Sequence, residues 1–117
     1  MYVTTVHRGD VMLAYAFRSP NFMGFQQLSK SCQLIIADCL EKDVPYLDIS
    51  GFDPNADYLC RQGWLVEEQS ITAGGRSFAI PSTKWRELLP LKQQILTEGM
   101  RSELAQYRAT RANLFSR

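Results

Sequence analysis

Histidine is nearly absent from this chain, with His7 the only one, and the three cysteines, Cys32, Cys39 and Cys60, include no Cys-x-x-Cys pair. An odd, widely spaced set is not the even framework from which small secreted domains build disulfides. A zinc site of nitrogen and sulfur ligands would need all four residues. Cys32 and Cys39 fall on an apolar helix face, so buried thiols are expected, with no metal and no cofactor. Nucleophilic catalysis lacks its base, because nothing places His7 beside a cysteine or serine, and an enzyme is not expected. Asp53 and Asp57 share a helix face as paired acids do, yet capping and solvation account for them more simply. No apolar run approaches the ~20 residues of a membrane span, and the N-terminus lacks a basic segment followed by a long apolar one. A cytosolic setting without membrane contact is the expectation.

At 117 residues, 45% of them apolar, the chain suits one globular domain. That length buries roughly two-thirds of the surface exposed by the unfolded chain, so no covalent staple is needed. The net charge of +1 conceals three unlike stretches: residues 1–40 carry +1, residues 41–70 carry −5 and residues 71–117 carry +5. One end could therefore attract a polyanion that another repels, and head-to-tail association is permitted.

Tyr2 to His7 is β-branched and aromatic and reads as a short strand, turned by Arg8-Gly9-Asp10. Val11 to Phe17 alternates as a strand would, while Asp10 could cap a helix of the same residues; the helix is the reading adopted. Ser19-Pro20 ends it either way. Leu28, Cys32, Ile35, Ile36 and Cys39 recur at helical spacing and predict the core helix from about Phe25 to Lys42. Asp43 to Gly51 leaves room for a short strand or one helical turn. Asp53-Pro54 then starts a helix that runs to about Gln62, with Asn55, Asp57, Arg61 and Gln62 outward and Tyr58, Leu59 and Cys60 inward.

That helix should end where Gly63 takes a left-handed conformation, so that the chain turns into Trp64-Leu65. Leu65 to Ile71 predicts a strand, Ala73-Gly74-Gly75-Arg76 a turn, and Phe78-Ala79-Ile80 the returning strand, stopped by Pro81. Ser82 or Thr83 can cap the next helix, which Trp85, Leu88 and Leu89 anchor. Both tryptophans read as core residues. Pro90 kinks this helix or begins another. Ile95, Leu96, Met100, Leu104, Tyr107 and Leu114 continue a helical stripe that Gly99 weakens by up to about 1 kcal/mol.

The stretch from Tyr58 to Leu89, with an apolar pair after a helix-ending glycine, a Gly-rich hairpin and a helix opening after Ser82-Thr83, resembles the wing of winged-helix regulators of the PadR and MarR kind. The resemblance implies an α+β winged helix-turn-helix: residues 1–24 an N-terminal strand with a helix or hairpin, 25–90 the winged-helix core, and 91–117 a C-terminal helix for dimerisation or partner binding. It makes the helix after Asp53 the recognition helix. Two features depart from the pattern, since no full middle helix fits before Asp53, and Asp53 and Asp57 would enter a DNA groove first.

The implied function is a DNA-binding transcriptional regulator acting as a homodimer. Asn55 and Gln62 are of types that read adenine, Arg61 of the type that reads guanine, and Arg76, Lys84 and Arg86 could reach phosphates. The alternative is a non-enzymatic protein-binding adaptor or inhibitor, of the sort that phages and plasmids encode, on the same fold. There Asp53 and Asp57 would meet a charged protein partner; in either reading Met100, Leu104 and Tyr107 of the C-terminal helix would line a seam with a second copy or another partner.

Overall fold

A computed structural model describes residues 20–68 and 75–115, with side chains as far as Arg111. The expectations for residues 1–19 and for the hairpin residues 69–74 lie outside the described residues.

The expected helix from Phe25 to Lys42 is two helices, α1 (Pro20–Gln27) and α2 (Lys30–Lys42). The apolar spacing runs on through the break, but Ser29 turns extended, with φ −61° and ψ 157°, and its hydroxyl accepts from the Cys32 N–H. That satisfies one of the N–H groups a helix start leaves without partners. The Gln33 side-chain amide donates back to the carbonyls of Phe25 and Leu28, closing the end of α1. A boundary after residue 24 thus falls within α1, whose Phe22 and Phe25 share the main core. Gly24 lets this helix lie against the Trp64 ring, which a Cβ would meet at 3.3 Å.

Asp43 ends α2 in the left-handed region, and Val44 donates back to the Cys39 carbonyl. Strand β1 (Tyr46–Ser50) follows, then α3 (Pro54–Arg61). The start of α3 is as expected: the Asp53 carboxylate accepts from the N–H groups of Asn55 and Ala56, and Pro54 fills a position that needs no donor. Gly63, at φ +84°, turns the chain so that Trp64 donates to the Leu59 carbonyl.

Strands β2 (Val66–Glu68) and β3 (Gly75–Ala79) form an antiparallel hairpin, and β1 pairs with the other side of β3, giving the order β1-β3-β2. The register sets Leu47 and Glu67 opposite Phe78, and Asp48 and Glu68 opposite Ser77. Helix α4 (Ser82–Leu88) opens after Pro81 without a side-chain cap, although Ser82 and Thr83 were available.

Pro90 lies in a single 3-10 turn, Leu89–Leu91, before the short α5 (Lys92–Ile95). The C-terminal stripe is also interrupted. Leu96 leaves the helical region, and the Thr97 hydroxyl accepts from the Met100 N–H, so α6 (Glu98–Phe115) starts afresh. Gly99 then sits in a first turn, where it weakens little.

The core joins Ile36 and Leu40 of α2, Leu59 of α3, Leu65, Phe78, Leu88 and Leu104, all fully buried. Ion pairs along the α2–α6 seam flank this contact: Lys30 with Glu103 at 3.1 Å, Arg101 with Glu41 at 2.8 Å, and Arg108 with both Asp38 and Glu41. The result is an α+β domain with a small three-stranded antiparallel sheet, and no helix among the described residues is long and apolar enough to cross a membrane.

Candidate interaction surface around α3

Two turns of α3 and the base of the hairpin share one surface. Leu59 and Ala56 anchor α3 in the core, which leaves Tyr58 pointing outward; it is 42% exposed rather than packed inward as its spacing implied. Phe52, just before the Asp53 cap, is 71% exposed. Exposed aromatic residues of this kind anchor protein interfaces.

The cations of this surface are already engaged. Arg61 pairs with Asp57 one turn earlier at 3.2 Å. Arg76 lies in β3 and donates two hydrogen bonds to Glu67, at 2.9 and 2.7 Å. Its guanidinium stacks 5.1 Å from the Phe78 ring and 6.0 Å from that of Phe52. Hydrogen bonding from Arg76 holds the Glu67 carboxyl below its ordinary value, and the same bond raises Arg76. Glu67 also bears on Cys60 at the end of α3, whose thiol is raised first by burial and then by this carboxylate.

The other expected nucleic-acid residues are dispersed. Asn55 is half-buried beside Cys32, and Gln62 is exposed at the end of α3. Lys84 donates to Asn21 Oδ1 at 3.1 Å and lies 4.5 Å over the Trp64 ring. Arg86 is exposed on α4. Of the expected seam residues, Met100 and Leu104 are spent on the chain's own core, and Tyr107 is half-buried. Asp53 and Asp57 do share the α3 surface, but Asp53 is the helix cap.

A second feature has no counterpart in the sequence reading. A groove of about 600 Å³ runs beside β1, lined by Asp38 and Lys42 of α2, Tyr46, Leu47 and Asp48 of β1, and Tyr107, Arg108 and Arg111 of α6. Asp38 is nearly buried and accepts from Arg108 Nε at 2.7 Å, with Lys42 at 3.2 Å. Burial works to lower Arg108, but Asp38 and Glu41 outweigh it and keep the guanidinium charged. Burial raises the Tyr107 hydroxyl, which accepts from Arg111 Nη1 at 2.9 Å. Strand and helix patterns give no sign of this groove, because it joins residues such as Asp38 and Arg108, 70 positions apart, in elements whose docking is tertiary.

Among the described residues no group of three His, Cys, Asp or Glu side chains is placed to hold a metal ion. Comparisons with protein-family models, with curated proteins and with solved structures each find no match.

Proposed function

We propose that this chain is a non-enzymatic protein-binding domain, an adaptor or inhibitor, that works in the cytosol and uses the surface of α3 and the hairpin base. The observation that carries this reading is the two-bond pairing of Arg76 with Glu67, on a surface that also exposes Phe52 and Tyr58; the exposed i,i+4 pair of Arg61 with Asp57 is weak and adds little. Binding to nucleic acid draws most of its strength from cations offered to phosphate. Here Arg76 is held by two hydrogen bonds to Glu67, whereas Phe52 and Tyr58 remain outward.

The framework is read as a reduced winged helix. A helix, a strand, a second helix and a hairpin follow in order, and the first strand pairs with the returning one. Only α3 lies between β1 and β2, where a helix-turn-helix needs two helices. The exposed Arg86 and the weakly paired Arg61 favour the second reading, a DNA-binding regulator.

A photoreactive amino acid placed at Tyr58 tests the first reading inside cells. It should give a discrete protein adduct that disappears when Asp57→Lys is added. Cross-linking to DNA, with no protein adduct, would return the chain to the regulator class. Asp57 serves this test better than Asp53, since losing the cap alone weakens the fold by about 1 kcal/mol.

A further inference from the structure

The edge of β1 that faces away from β3 borders the groove, and the strand register states which backbone groups face it. Ile80 donates to the Pro45 carbonyl, which makes Pro45 and Ile80 a hydrogen-bonded pair. Such pairs alternate along an antiparallel ladder, so Leu47·Phe78 and Ile49·Arg76 are bonded pairs as well. The N–H and C=O groups of Tyr46, Asp48 and Ser50 therefore point away from β3. Because β1 ends the sheet order, none of them has a strand partner among the described residues.

We propose that this edge and its groove accept an extended segment of a partner protein as a fourth strand, with acidic side chains at the alternate positions that face α2 and α6. This goes beyond the reading of α3, since it concerns another surface and stands without it. Strand addition of this kind draws affinity from main-chain hydrogen bonds and selectivity from the side-chain wall. Here the wall carries Lys42, Arg108 and Arg111; Arg108 is held by both Asp38 and Glu41, so Lys42, the more exposed of the two, is the cation better able to meet an incoming carboxylate. Lys42 is 58% exposed, and an exposed i,i+4 pair such as its bond to Asp38 is weak enough to be redirected to an incoming carboxylate. On the other face of the added strand, Tyr46 and Asp48 would meet apolar or basic side chains. Tyr46 is 61% exposed there.

A second copy of the chain is the poorer occupant. Pairing β1 with its symmetry mate about Asp48 sets two carboxylates opposite each other, and pairing it with β2 of another copy brings Glu67 and Glu68 towards Asp48.

The test is selection from a displayed library of random peptides about ten residues long, roughly twice a typical strand. Selected peptides should alternate acidic with apolar or basic residues. On binding, the Tyr46, Asp48 and Ser50 amides should gain protection from hydrogen exchange. Asp48→Pro removes one outward N–H while sparing the ladder to β3, and should weaken binding about tenfold, whereas Asp48→Ala keeps that N–H and should not. Lys42→Glu, which leaves the backbone intact, should weaken the acidic peptides even if the proline variant unfolds. Asp57→Lys should leave peptide binding unchanged, which separates this surface from α3. The proposal is overturned if no such peptides are selected, or if both Asp48→Pro and Lys42→Glu bind as the parent does. It is equally overturned if the three amides are already protected in the chain alone, with sedimentation then telling a second copy from residues 1–19.

Discussion

Arg76 grips Glu67 through two hydrogen bonds, Nε to Oε2 at 2.9 Å and Nη2 to Oε1 at 2.7 Å, and so ties β3 to β2 across the hairpin. Glu67 stands opposite Phe78 in the register, and Arg76 two residues before Phe78 reaches it diagonally while lying over the Phe78 ring. One contact thus braces the sheet and removes a cation from the outer surface.

The hydrogen bonds from Arg76 lower the Glu67 carboxyl from its ordinary 4.5. A depressed value in the fold means that the pair's contribution is present above the ordinary value and is lost as pH falls through the lowered one. Carbon-detected titration of Glu67 should give a midpoint below 4.5 that returns to the ordinary range in Arg76→Ala. Equal midpoints in the two proteins would show that the pair does not persist in solution.

Glu67→Gln should release Arg76. If pairing is what withholds this cation from phosphate, the variant binds random duplex DNA at low salt, where the parent does not, and that binding falls as salt is added. A variant that still fails to bind would mean that pairing is not the reason.

The cysteines should differ in reactivity. Burial, with the neighbouring Asp38 carboxylate, pushes the Cys39 thiol up to about 12 from 9.0, and Cys32 is equally buried. Cys60 is only partly covered. Alkylation under native conditions, followed by mass spectrometry, should modify Cys60 first and the other two only after unfolding. A raised folded value also means that the Cys39 contribution to stability is complete below pH 9.0 and is lost as pH climbs towards 12. Denaturant unfolding should therefore show a fall in that window, and a smaller one in Cys39→Ala.

Leu104→Ala should destabilise the domain by about 2–5 kcal/mol in denaturant unfolding, the range for emptying a fully buried leucine site. A change near zero would indicate that α6 is a detached stalk rather than part of the core, and would restore Leu104 to a seam between copies.

Much of the middle of the fold was legible because its signals are local. Asp53-Pro54 marked the start of α3, Gly63 its end, and the glycine pair announced a hairpin whose flanking strands the structure describes, although Gly75 and Arg76, expected in the turn, already belong to β3 and pair with β1. The breaks at Ser29 and Thr97 were not legible, because apolar spacing continues across both and only the capping hydrogen bonds reveal them. The site was harder still. Tyr58 looked inward because it sits beside Leu59, yet a helix with Ala56 and Leu59 in the core turns position 58 to solvent. The Glu67–Arg76 pair requires the register across residues 69–74, which composition does not supply. The β1 groove depends on α6 folding back on α2, a docking encoded in charge pairs such as Arg108–Asp38 that lie far apart in the chain.

The surface around α3 keeps its hairpin cation, Arg76, for its own carboxylate, Glu67. Fluorescence anisotropy of labelled random-sequence duplex DNA, titrated with the purified protein at low and at near-physiological salt, tests that claim most directly. The account predicts no appreciable binding even at low salt. Binding that is present at low salt, falls steeply as salt is added and weakens in Arg76→Ala would contradict it and identify the hairpin as a wing that contacts DNA.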